Sequence, residues 1–252
     1  MGLKKTLGEN LSGGISLRYI YSTLTGQMTI DGTDTHPGHA VSSDLSLFYR
    51  RKYKVSGKKH KLALGMNISN IGSKISYSDD ATKEFIPINL RLGGAYTIDI
   101  DDYNKITFAV DGNKLLVPTP PERNLQNEIV AGKDNDVPVA KGIFQSFGDA
   151  PGYESNGEFG PVYQEELNEV NLSVGAEYWY SEQFAIRSGY FYEHETKGNR
   201  KYFTMGIGLR LNVFGLDFSY LIPTTQHNPL ENTLRFSLTF DFEGLKEQGE
   251  TE

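Results

Sequence analysis

Residues 200–242 read RKYFTMGIGLRLNVFGLDFSYLIPTTQHNPLENTLRFSLTFDF, and their periodicity decides the fold. Phe203, Met205, Ile207, Leu209, Leu211 and Val213 alternate with Thr204, Gly206, Gly208, Arg210 and Asn212. After a tight corner, Phe214, Leu216, Phe218, Tyr220 and Ile222 alternate with Gly215, Asp217 and Ser219. Beyond PTTQHNP, Leu234, Phe236, Leu238, Phe240 and Phe242 alternate with Arg235, Ser237, Thr239 and Asp241. A period of two marks β-strands with one apolar and one polar face. Each run is about nine to eleven residues, the length at which a tilted strand crosses a bilayer. Arg and Asp on the polar face suit a watery lumen better than the dry middle of a sandwich. The fold expected is all-β, an antiparallel transmembrane β-barrel.

Composition fits. The 252 residues hold no run of eighteen apolar residues, and the mean hydropathy is −0.44, which excludes membrane-spanning helices. Barrel strands escape this test because lumen-facing polar residues dilute them. With 15 Tyr and 14 Phe, the chain has the rings needed for aromatic girdles at the two membrane surfaces. The absence of cysteine rules out disulfides and thiolate metal sites. A net charge of −7 argues against nucleic acid as a partner.

Working outward, five further alternating segments precede the middle of the chain. Strands are expected over 11–24, 40–55, 61–71, 86–100 and 105–116, then over 168–180 and 184–193, and three more in the closing stretch, ten in all. A long irregular region, 117–166, opens with VPTPPERN; loops of that length usually carry function. The connections SGKKH, DDYN, SEQ and the Asn212–Phe214 corner are short, and those between them are long or medium. Outer-membrane barrels segregate short periplasmic turns from longer outside loops in this way. Residues 1–243 therefore read as barrel, with 117–166 an outside loop and 244–252 a polar periplasmic tail. The opening MGLKKTLGENLSGG has no apolar signal core, and KKTLGEN reads as a turn reached from a preceding strand. The expectation is the C-terminal part of a larger barrel.

Several linked blocks carry a resemblance: NISNIGSKISY, FIPINLRLGGAY, NKLLVPTPPERN, VGAEYWY, QFAIRSGYFYE, KGNRKYFTMGIGLRLNVFGLDFSYLIPT and NPLENTLRFSLTFDF. From Leu11 to Phe242 the chain resembles the PorV (LptO) family of outer-membrane proteins of the type IX secretion system. The resemblance implies a barrel of the fatty-acid-transporter (FadL) type with fourteen strands, so that about four strands and a signal peptide would precede this chain. It also implies a non-enzymatic role. Such proteins take cargo bearing a C-terminal signal domain from the translocon barrel to a surface attachment complex containing a PorU-like sortase. The alternative is a FadL-like channel for hydrophobic small molecules.

Candidate sites follow from position. Phe144, Phe147, Tyr153, Phe159 and Tyr163 place rings in the long loop, where they would bind cargo or partners, or pack as a plug. Arg18, Asp44, Arg91, Asp99, Asp111, Glu177, Arg187, Arg210, Asp217 and Arg235 point inward, as a ligand path or as ion pairs filling the lumen. His36 and His39 with Asp31 and Asp34 have no spacing that fixes a metal. Asp99, Asp101 and Asp102 lack the spacing of a calcium loop. Glu165 and Glu166, if in a strand, point to opposite faces and cannot act as a glycosidase pair. Met205-Gly-Ile-Gly precedes no helix and is no dinucleotide loop. No catalytic residues, cofactor or metal are expected. The partners expected are cargo, the sortase, the translocon barrel and outer-membrane lipid.

Overall fold

The computed structural model describes residues 2–6, 8–23, 29–30, 33–78, 83–155, 158–211, 213–224 and 233–240. The expectations for Leu24, Asp31, Asn212, Phe242, most of PTTQHNP and the tail 244–252 lie outside these residues.

One antiparallel sheet of eleven strands dominates. Its strands are β1 (Gly2–Thr6), β2 (Leu11–Ser22), β3 (Gly38–Val55), β4 (Lys58–Gly72), β5 (Asn89–Asp99), β6 (Asn104–Leu115), β7 (Asn171–Tyr180), β8 (Phe184–Tyr192), β9 (Lys201–Leu211), β10 (Phe214–Pro223) and β11 (Leu234–Phe240). They pair in chain order from β1 to β11, so the first and last strands stand at opposite ends of the order. The fold is all-β, and this order is consistent with part of a barrel. No helix among the described residues is long and apolar enough to cross a membrane.

The sheet has one strand more than the ten expected. Residues 2–6, of which 4–6 were read above as part of a turn, pair with β2 from Gly2 opposite Ser16 to Thr6 opposite Ser12. The local pattern GLKKT is too polar and too short to display a period. Elsewhere the strand ends shift for local reasons. β5 begins at Asn89 rather than Ile86, since Pro87 has no N–H to give to a ladder. β3 and β4 run closer together than expected: only Ser56 (φ 51°) and Gly57 (φ 82°) turn the chain between them. Positive φ at both central residues is the hairpin geometry that matches strand twist.

The connections alternate in length along the whole sheet. Those at 7–10, 56–57, 100–103, 181–183 and 212–213 are short, and those at 23–37, 73–88, 116–170, 193–200 and 224–233 are longer.

Register places like with like. Phe203 lies opposite Ile222, Ile207 opposite Phe218, and Phe218 opposite Phe236. These rows are exposed: thirteen large apolar side chains of β9–β11 are open, Ile207 at 47 % and Phe236 at 57 %. Leaving one such side chain in water forgoes about 1.5–3 kcal/mol. Among the described residues only nine apolar side chains are buried. A water-soluble sheet of this size covers a face; this one leaves its apolar face open.

The chain divides into two compact units, Met1–Tyr49 with Gly65–Leu92 and Asn113–Val170, and Arg50–Leu64 with Gly93–Gly112 and Asn171–Glu252. The first holds an apolar cluster of Ala40, Ile75 and Ile86, with Ile20 and Tyr77 packed on it. In the second, Ala185 and Leu221 are the buried apolar side chains among the described residues.

Candidate functional site

The long segment after β6 is not irregular throughout. Pro118, Pro120 and Pro121 end the strand, and the chain then forms two seven-residue helices, α1 (Val139–Gln145) and α2 (Val162–Asn168). Pro138 and Pro161 immediately precede them with φ of −57° and −64°, values that lead directly into a helical turn. Helices this short do not persist alone in water. The tertiary anchors of α2 are polar.

Lys114, near the end of β6, is buried and donates to Glu166 Oε2 at 2.8 Å and Glu169 Oε2 at 2.6 Å. The other oxygen of Glu166 accepts the backbone N–H groups of Asp149 (2.8 Å) and Ala150 (3.0 Å). The second oxygen of Glu169 accepts from the Thr119 hydroxyl at 2.8 Å. Glu165 is also buried and accepts the N–H of Gly152 at 2.7 Å. Residues 117–166 were expected to be irregular; Pro161 starts a helix here instead, so the strand-alternation argument does not apply to these two acids. Each carboxylate is engaged with backbone or lysine. Asp149 is 1 % exposed, and its Oδ1 has no hydrogen-bond partner. Burial pushes its carboxyl up; donors on Gln145 and the Thr119 amide oppose this, while the charges of Glu166 and Glu169 add to it.

This dry staple supports a greasy surface. Phe144 on α1 is 80 % exposed, Phe147 just beyond it 53 %, and Tyr163 on α2 63 %. Leu167, one turn on from Tyr163, is also exposed. Phe159 is at the edge of exposure. Tyr153 differs: it is half-buried, and its hydroxyl accepts from Asn168 Nδ2 at 3.3 Å. α1 packs through Gly142, where an added Cβ would lie 2.7 Å from the Phe85 ring.

On the sheet, the inward charges pair with neighbours. Arg18 meets Asp44 and donates to Asn70 at 2.9 Å. Asp44 also accepts from the Ser16 hydroxyl at 2.7 Å and the Asn70 amide at 2.9 Å. Arg91 donates to Asn113 at 2.7 Å. Arg187 bridges Glu177 (2.6 Å) and Asp217 (2.7 Å), and Arg210 completes the chain on Asp217 at 2.7 Å. The two guanidinium groups of that chain lie 5.3 and 5.6 Å from the Trp179 ring centre. Gly208 leaves room for it, since a Cβ there would sit 2.7 Å from both Arg187 Nη1 and Asp217 Oδ1. Asp111 fills the space that a side chain on Gly93 would need. Asp99 lines a hollow of about 240 Å³ with Lys58, Lys59, Asp101, Lys105 and Glu182. Arg235 stands opposite Ser219 on exposed β11.

His39 shares a 2.6 Å hydrogen bond with the Tyr19 hydroxyl, and His36 Nδ1 lies 3.1 Å from the carbonyl of Pro37. Met205-Gly-Ile-Gly is internal to β9. In the 193–200 connection Glu193 is 3 % exposed and takes two bonds from the Arg200 guanidinium, at 2.7 and 2.6 Å. Burial alone would push its carboxyl up, but Arg200 holds it below the ordinary value.

Sequence reasoning missed the staple. Its one linear signal is Lys114, a lone cation in phase with the apolar row Ile106, Phe108 and Val110. Its partners come from more than fifty residues away.

No curated protein matches this chain. The family model described as Type IX secretion system protein PorV matches residues 3–122, which span β1 to β6 and the proline-rich start of the long segment. With the antiparallel sheet and its exposed apolar face, that match makes the chain similar, over residues 3–122, to the PorV family of type IX secretion-system proteins.

Proposed function

We propose that the chain is the part of an outer-membrane barrel that receives secreted cargo by its C-terminal signal domain. It passes the cargo from the translocon to a surface attachment complex that contains a PorU-like sortase. The long segment makes the contact, through Phe144, Phe147 and Tyr163, with Phe159 at the margin and Tyr153 as a support. The observation that carries this reading is an apolar surface held out on a rigid base. Phe144 is 80 % exposed on a helix whose seven residues have no independent stability, while the segment around it is fixed by buried ion pairs to Lys114. Aromatic side chains held open in this way dominate binding energy at protein interfaces. A plug that only sealed the barrel would turn these rings inward.

The test is Phe144→Ala, Phe147→Ala and Tyr163→Ala together in the full-length protein. The expected result is a loss of cargo from the cell surface at unchanged barrel abundance, with signal-domain affinity reduced at least tenfold, since hot-spot truncations cost about 2 kcal/mol or more each. Normal cargo display with normal barrel levels removes the segment from the mechanism.

A further inference from the structure

The β3–β4 hairpin carries a charge pattern that neither the fold nor the cargo reading explains. Residues 50–61 read RRKYKVSGKKHK: seven lysines and arginines, with no acid, in a chain whose net charge is −7. Arg50, Arg51, Lys52, Lys54, Lys58 and Lys59 are exposed, and Lys61 is half-exposed. Among the described residues no ion pair within 4.0 Å joins any of the seven, whereas the neighbouring Lys105 pairs with Glu182 at 2.6 Å.

The two-residue turn fixes the hairpin register. It sets Tyr53 opposite His60, and their rings stack with centroids 5.8 Å apart. The same register sets Lys54 opposite Lys59 and Lys52 opposite Lys61. Like charges directly opposite are destabilising. Two such pairs side by side are a local cost with no return inside the hairpin.

Alternation sorts the charges by face. Leu45, Leu47, Tyr53 and Val55 share one parity in β3, the parity of the exposed apolar row. On that face Tyr53, His60 and Tyr96 form a ring cluster, with Tyr96 and His60 hydrogen-bonded at 2.8 Å. Such a cluster marks the level of the membrane surface. Arg51 and Lys58 belong to this face. The other five cations, Arg50, Lys52, Lys54, Lys59 and Lys61, share the parity of Asp44 and Ser46, the polar face. A bilayer headgroup reaches the first pair readily and the other five poorly.

We propose that the polar face of this hairpin is a docking surface for an acidic polypeptide segment of a partner protein, approaching at the short-turn end of the sheet. An extended acidic strand has the spacing to neutralise Lys52, Lys54, Lys59 and Lys61 together and so relieve both repulsions. The cavity beside the hairpin, lined by Lys58, Lys59, Asp99 and Asp101, mixes both signs, so the positive field is strongest on the hairpin itself. This inference is independent of the cargo contact through the long segment.

The probe is a fluorescein-labelled oligoglutamate peptide titrated onto the full-length protein in phosphatidylcholine nanodiscs. The wild type is expected to bind it, with affinity falling steeply as salt rises. K52Q/K54Q/K59Q/K61Q is expected to lose about tenfold or more, and R51Q/K58Q less than about twofold. Lys54→Glu separates binding from folding. It converts the Lys54–Lys59 repulsion into an attraction, so the hairpin gains hydrogen-exchange protection while the peptide binds more weakly. Absence of wild-type binding, or a Lys54→Glu variant that binds as tightly as wild type, overturns the proposal. So does loss confined to R51Q/K58Q, with phosphatidylglycerol retained by the wild type but not by that variant; this result assigns the charges to the membrane surface.

Discussion

The β7–β10 strands and the 116–170 segment both rest on charged clusters, but they use them in opposite settings. In the strands the side chains of Arg187, Glu177 and Asp217 keep 30, 32 and 26 % of their exposure. In the segment Lys114, Glu166 and Glu169 keep 9, 10 and 14 %. Half-wet ion pairs contribute little each, about 1 kcal/mol or less, because water and salt screen them. Dry ones are costly to assemble and costlier to break, since the surviving partner is left charged and unmatched. The strands draw their order from backbone ladders and leave their apolar side chains exposed. The segment has only two-strand ladders of two or three residues, 122–123 with 129–131 and 154–155 with 158–159, and α2 hangs on a lysine and three glutamates. One region is a sheet that tolerates changes of charge, and the other is a folded cap that a single charge holds in place.

The sharpest way to break this contrast is Lys114→Met. Removing the cation leaves Glu166 and Glu169 buried without a counter-charge, a loss of about 3–5 kcal/mol. Hydrogen exchange of the α2 amides is expected to speed up by about a hundredfold or more, with β7–β10 unchanged. If α2 keeps its protection, the staple is not what holds the segment. Next in size is Ile207→Arg, in the middle of the exposed row of β9. A cation facing the centre of a bilayer costs a barrel about 2–4 kcal/mol. Refolding into lipid vesicles is expected to lose that much, whereas the same change on a water-facing sheet would cost almost nothing. Smaller again is Arg187→Gln, expected to cost about 1 kcal/mol or less by the same assay. A loss as large as that of Lys114→Met would show that the strand cluster is as dry as the staple and would erase the distinction.

These regions also differ in how far the sequence betrays them. The strands were legible because their signal is local: Phe203, Met205, Ile207 and Leu209 announce a face within seven residues. Short turns such as that at Asp101 were legible too, from the turn-forming residues DDYN; the Asp101 carboxylate accepts the Tyr103 and Asn104 amides at 2.9 and 2.8 Å. In the segment, exposure of Phe144 and Tyr163 followed from their place in a polar, proline-rich stretch. The helices did not, because each has only seven residues and starts from a proline rather than a side-chain cap. Nor did the role of Glu165 and Glu166, which depends on contacts with Gly152, Asp149 and Lys114 that no window of sequence contains. Gly198 lies between the two cases. Its φ of 134° suits a turn glycine, but the Glu193 carboxylate that fills the place of its missing Cβ is a tertiary fact.

The finest test of the contrast concerns pH, because the two regions hold carboxylates shifted in opposite directions. Asp149 under the segment is pushed above its ordinary value of 3.8 by burial. A group raised on folding favours the native state while it is protonated, and that contribution is lost as pH climbs from the unfolded value through the raised one. Glu193 beside the strands is held below its ordinary value of 4.5, with Arg200 outweighing burial. Its contribution is present above 4.5 and fades as pH falls through the depressed value. On acidification from neutrality, the protection of residues 139–168 is therefore expected to rise slightly while that of residues 190–203 falls. Asp149→Asn removes the first trend and raises protection at neutral pH, because an amide has no charge to desolvate and can donate where the carboxylate oxygen now has no partner. Arg200→Gln removes the second trend and lowers protection at neutral pH. Hydrogen exchange followed from pH 7 down to about pH 3, corrected for intrinsic rates, reads both. Parallel trends in the two regions would mean that Asp149 is ionised and solvated at neutrality, and the segment would then rest on the Lys114 pairs alone.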